Sequence, residues 1–255
     1  MVRGLYTAYT GMMNQQARLD VITNNLANAS TVGYKKEGST SQAFDSMYTQ
    51  KIKDGSEGYI NRRIGKESLG VKIGETYTDY TQGSFKVTGN TLDLALEGTG
   101  FFNIEYASKS GNTLTKYTRD GSFSINNEGM LVTEDGDYLL GENGRIQLPS
   151  GAEVVVDELG NVYADEKLVD KIKLSDFEDY NYLKKFGENL YTAVDGATEK
   201  TGDGKVRQGY LEMSNINVIS EMVEMITVSR AYESSQKVVQ TMDSSLEKAV
   251  NLGKL

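Results

Sequence analysis

Near the start of the chain, apolar residues recur at alternating steps of three and four: Leu5, Ala8, Met12, Leu19, Ile22 and Leu26, with Gln15 the one polar member. That is a heptad seam, narrower than the stripe of an ordinary globular helix. It predicts an α-helix over residues 5–27, about 35 Å long at 1.5 Å per residue. The opposite side carries Thr10, Asn14, Arg18 and Thr23, which a monomer core would not want, so the helix needs a partner, and candidates lie at the far end of the chain. A second seam runs through Met225, Val228, Tyr232, Val239, Met242, Leu246 and Ala249, interrupted by Ser235. No Gly or Pro falls between Val218 and Leu252, which predicts a helix of about 50 Å. Asn215 or Asn217 is placed to cap its start, Glu221 and Glu224 suit the positive first turns, and Lys248 and Lys254 suit the end.

Between the helices the period changes to two. Short runs of Val, Ile, Phe and Tyr over residues 84–210 are split by turn signals such as Asn127-Glu128-Gly129, Asp135-Gly136 and Glu142-Asn143-Gly144. Alternation stands out at Phe102/Ile104, Ile146/Leu148 and Val154/Val156. With no helical spacer for a parallel sheet, an antiparallel sandwich or barrel-like domain is expected. Short helices are expected over residues 43–52 and 176–186. The fold class is α+β: long terminal helices forming a coiled-coil-like assembly domain, with an antiparallel all-β middle.

Three stretches carry a resemblance. Asn24-Asn25-Leu26-Ala27-Asn28-Ala29-Ser30-Thr31-Val32-Gly33-Tyr34-Lys35 resembles the N-terminal signature of the flagellar rod and hook proteins. QGYLEMSNINVISEMVEMITVSRAYE (residues 208–233) resembles their C-terminal motif; LDLALEGTGFFNI (92–104) and YTRDGSF (117–123) resemble their middle domain. The resemblance implies a structural subunit of the basal-body rod that polymerises into a helical, torque-carrying tube. Its expected contacts are further copies, adjacent rod and hook proteins and the flagellar export apparatus. Gly33 and Gly98 are 65 positions apart, a long linker that resembles distal-rod members; a proximal rod or hook subunit is the alternative. The expected segments are a helix and signature (1–34), a linker or extended arm (35–83), a β-rich middle (84–210) and a second helix (211–255). The expected assembly interface comprises both seams together with Asn24, Asn25, Asn28, Gly33, Tyr34 and Met222.

Composition narrows the chemistry. The chain has no cysteine and no histidine, which removes thiolate metal sites, disulfides and the commonest general base. Residues 73–210 hold 13 Lys and Arg against 24 Asp and Glu, an acidic middle that argues against nucleic acid. No apolar run approaches the ~20 residues of a membrane span, and the N-terminus lacks a Sec-type signal pattern. The resemblance therefore places the protein in the extracytoplasmic basal body, exported without a cleaved signal. The acid pairs Asp93/Glu97 and Asp135/Asp137 are the catalytic candidates, and a secreted wall-binding module or glycoside hydrolase is the reading they would serve. The second pair sits at a turn, where Asp is favoured for backbone reasons, so no catalytic, cofactor or metal site is assigned.

Overall fold

The computed structural model describes residues 2–50, 63–107, 113–149, 151–187 and 189–253. The chain divides into two compact units: a helical unit made of both termini with residues 37–78, and a β-rich unit made of residues 27–36 and 79–217.

In the helical unit, α1 spans Val2–Ala27 and α2 spans Val218–Leu252. They run antiparallel: Gly4 faces Met242, Gly11 faces Ser235 and Asn25 faces Glu221. The seam positions are the covered ones. Ile22 and Val228 are buried, and Leu5, Ala8, Met12, Leu19, Leu26, Met225, Tyr232, Val239, Met242 and Leu246 are half-buried, while Ala249 is exposed. The partner of α1 is thus the helix at the far end of the chain, and the two seams face each other within one copy. Gly4 lies against the Met242 methyl, 2.7 Å from where a Cβ would stand, so the flexible methionine end fills the space beside it.

The polar side of α1 is covered as well. Strands β1 (Glu37–Ala43) and β4 (Val71–Thr78) pair antiparallel, as do β2 (Met47–Gln50) and β3 (Arg63–Glu67). Asn14 is buried and donates to Ser41 Oγ at 2.9 Å. Gly70, at φ +118°, passes so close that a Cβ would meet Thr10 Oγ1 at 2.0 Å. A polar helix side therefore matches a polar strand, Glu-Gly-Ser-Thr-Ser-Gln-Ala. The helix expected at 43–52 is not formed: residues 47–50 are strand, where Tyr48 and Thr49 suit a pleated surface. Residues 51–62 of the linker lie outside the described residues.

The β-rich unit opens with β5 (Phe85–Val87), β6 (Leu94–Glu97), β7 (Phe101–Ala107) and β8 (Thr113–Thr118). Its main sheet is antiparallel, with β7 and β8 at the centre; Tyr138–Gly141 extends it on one side, and Leu190–Ala193 then Leu183–Phe186 on the other. Neighbouring side chains on a strand face opposite ways, so Phe101 and Phe102 enter different cores. Phe102 packs among Leu94, Leu96, Phe123, Leu139 and Ile146; Phe101 packs among Tyr117, Phe177, Leu183 and Tyr191. The alternating residues at 102/104, 146/148 and 154/156 are buried as expected. The helix expected over 176–186 is instead a single 3-10 turn, Tyr180–Tyr182, between strands Leu174–Phe177 and Leu183–Phe186. Local side-chain bonding shapes this turn: Asp176 Oδ1 accepts from Tyr180 Oη at 2.7 Å and Asp179 caps the turn.

Lys35, Arg119 and Glu212 meet inside this unit with side chains only 1%, 4% and 0% exposed. Glu212 Oε1 accepts from Lys35 Nζ at 2.6 Å and from the Gly83 N–H at 2.9 Å; Oε2 accepts from Arg119 Nη1 at 3.2 Å. Lys35 also donates to Thr81 O, and Arg119 to Gly98 O. Burial holds the Lys35 ammonium below the usual lysine range, Glu212 opposes that shift and Arg119 reinforces it. Gly33, at φ +69°, aims the chain here: its N–H donates to Glu212 O at 2.8 Å, and a Cβ would sit 2.4 Å from Asp120 N.

Two outcomes are expected. Glu212→Gln keeps the shape but leaves two cations without a counter-charge, so the β-rich unit should lose about 3–5 kcal/mol in a denaturant titration. The Tyr117 phenol is pushed up to about 12, chiefly by burial and then by Glu199. The folded state therefore holds this proton more tightly than the unfolded chain does, and stability falls as pH rises from about 10 to about 12. Thermal melts across that window should show a shallower decline for Tyr117→Phe than for the parent.

Candidate assembly surface

The structure distributes the expected interface residues over three environments. The seams of α1 and α2 face each other, as described. Asn25 sits at one end of this pair and is 1% exposed. Its Nδ2 donates to Glu37 O at 2.8 Å and to Glu221 Oε2 at 3.3 Å, while its Oδ1 accepts from Glu37 N at 2.9 Å. One amide thus ties α1 to β1 and to the first turn of α2, and Glu221 is equally buried. Arg18 Nη2 reaches Glu224 Oε1 at 2.9 Å nearby.

Asn24 is exposed, and Asn28 accepts from Thr31 Oγ1 at 3.1 Å beyond the end of α1. Gly33 and Tyr34 are buried in the β-rich unit, where Lys185 Nζ stands 3.9 Å from the Tyr34 ring centre. Asn215, a candidate helix cap, serves as a clasp in the same unit: Oδ1 accepts from Lys36 N at 2.8 Å and Nδ2 donates to Asp79 O at 2.9 Å. Asn217 is the residue that directly precedes α2.

Of the expected residues, Met222 is the one large apolar side chain left strongly exposed, at 48%. It stands beside Ile219, Val223 and Ile226 on the side of α2 turned away from the seam, and all three are more than half exposed. On α1, Tyr6, Tyr9 and Met13 form a similar outward stripe. Met13 was expected on the seam and is instead exposed; the other five were missed by the sequence reading, although 219, 222, 223 and 226 follow the spacing of one helix face. The heptad seam overlaps that pattern and hides it. Because α2 has 35 residues and α1 has 26, roughly 14 Å of α2 also continues beyond its partner.

The acid pairs are occupied in other ways. Asp93 accepts from Asn90 Nδ2 at 3.0 Å, Glu97 pairs with Arg207 at 2.6 Å, and burial raises the Asp137 carboxyl. Among the described residues, no group of three or more acidic side chains is placed to hold a metal ion, and no helix is long and apolar enough to cross a membrane.

Comparison with known proteins follows the same division of the chain. Residues 5–35 match the family described as flagella basal body rod protein, residues 95–164 match the flagellar hook protein FlgE/F/G D1 domain, and residues 207–252 match the flagellar basal body rod FlgEFG protein C-terminal region. The chain is 37% identical to the flagellar basal-body rod protein FlgG of Bacillus subtilis over 273 residues, 99% of both chains. It is 35% identical to FlgG of Caulobacter vibrioides, covering 96% of this chain and 97% of the relative. It is 33% identical to the flagellar hook-basal body complex protein FlhO of Bacillus subtilis over the full length of both.

The packing of the seams has a direct consequence. Leu19→Asp places a charge in the helix pair at a cost of several kcal/mol. Helical circular dichroism should fall and melt early, while the melting of the β-rich unit stays unchanged.

Proposed function

Because the chain belongs to the flagellar basal-body rod protein family and is a structural subunit of that rod, we propose that it builds the distal rod, with its helical unit as the assembly part. The observation that carries this reading is the outward apolar side of the helix pair, which is exposed among the described residues. Copies brought together along the rod remove Ile219, Val223, Ile226, Tyr6 and Tyr9 from water, at ~25 cal/mol per Å² of apolar surface. Repetition of one contact with a rotation that does not close generates an open helical polymer.

The seam has a separate part in this reading. It locks α1 to α2, so that each copy arrives as a stiff strut and less ordering entropy opposes association. The β-rich unit forms the outer body of the rod and catalyses nothing. Its surface acids keep it solvated. The long linker supports a distal position over a proximal one, and membership of the family supports delivery by the flagellar export apparatus and contact with neighbouring rod and hook proteins.

The double substitution Ile219→Asp/Val223→Asp tests the outward stripe. Both positions are exposed in the single chain, so circular dichroism of the monomer should match the parent. Sedimentation and electron microscopy should show polymers for the parent and none for the variant; polymers formed by both would remove the stripe from assembly.

A further inference from the structure

The helical unit carries two apolar features that cannot touch each other within one copy. One is the ridge on the first turns of α2: Ile219, Met222, Val223 and Ile226. The other is a groove of about 380 Å³ lined by Tyr6 and Thr10 of α1 and by Phe44, Asp45, Met47 and Leu69 from the strands and loops beside it. The antiparallel register puts them at opposite ends of the helix pair. Residues 6–10 lie where α1 meets the C-terminal half of α2, and the ridge lies where α2 begins, beside Arg18 and Asn25. Along the axis of α1 the separation is about 20 Å.

We infer that successive copies join end to end by seating the ridge of one in the groove of the next, an inference that rests on the chain being a polymer subunit. Apolar faces meet on both sides: Ile219 is 75% exposed and Met47 is 62% exposed. Charge matches as well. Asp45 stands in the groove, and Arg230 lies one turn beyond Ile226 on the ridge side of α2. Neither has an ion pair or hydrogen bond among the described residues. A contact of this kind is heterologous, with the donor face and the acceptor face on different parts of one surface, so it leaves a free ridge at one end and a free groove at the other. A two-fold dimer could make the same ridge-to-groove contact twice and would stop at two copies, whereas the end-to-end arrangement continues.

The chain has no cysteine, so an introduced pair reports this contact alone. In the full-length chain, Met47→Cys/Ile226→Cys treated with a short bis-maleimide after assembly should give a ladder of covalent multimers, and each single variant should give none. Intact rods whose subunits stay monomeric on the denaturing gel would overturn the ridge-and-groove contact and leave the polymer reading standing. Failure of the unsubstituted chain to polymerise would bring down both. If the cysteine pair itself blocks assembly, a charge swap decides. Asp45→Arg and Arg230→Asp should each lower polymer yield severalfold and should recover it when combined; a combined variant no better than the singles overturns the contact.

Discussion

Glu212 has no exposure to solvent, yet it answers two cations drawn from distant parts of the chain. Lys35 follows the first helix, Arg119 lies in the middle of the β-rich unit, and Glu212 precedes the last helix. An ion cluster this deep contributes little net stability compared with apolar packing, but a missing member is costly. What it supplies is a unique arrangement. The strand at Tyr210–Glu212, which pairs with β5, and the turn at Gly33 must both be in place before the charges balance. The two segments that continue into α1 and α2 are thereby fixed at their roots in the β-rich unit.

The helical unit solves a different problem. A two-helix pair has one face to bury and several to leave open, and this one uses each differently. Its seam is satisfied internally. The polar side of α1 takes hydrogen bonds from β1, through Asn14 and Asn25. The remaining apolar side, with Ile219, Val223 and Ile226, is exposed in the single chain. On the proposed reading, the contacts that shape the monomer and those that join copies lie on separate faces. The arrangement separates the two kinds of defect, since a seam mutation unpairs helices whereas a stripe mutation leaves them paired.

Much of this was legible from periodicity. Both helices fall within a few residues of the seams that announced them, and the α2 boundaries coincide with the stretch free of Gly and Pro. Buried alternation at Phe102/Ile104 and Val154/Val156 identified strand faces, but the reading passed over Phe101, because a strand packed on both sides shows a continuous apolar run. The segments over residues 43–52 and 176–186 read as helix because short mixed runs carry no decisive period. Their state is set by pairing with β3 in one case and by the Asp176–Tyr180 bond in the other. The far end of the chain offered the partner for α1, because a second seam of the same period is the one stretch able to cover the first. The buried trio was invisible for a related reason: each residue lies in a motif quoted for its resemblance, but nothing local announces that three such motifs converge.

The spacing of that trio along the chain sets an order of events. Lys35 and Glu212 are 177 positions apart, and Arg119 is 93 positions from Glu212. A chain that emerges N-terminus first presents both bases long before their acid, and burying two like charges together without it is prohibitive. The strand carrying Glu212 therefore acts as a latch that closes late, once everything except the final helix is free. Timing, as well as shape, is written into the position of one glutamate.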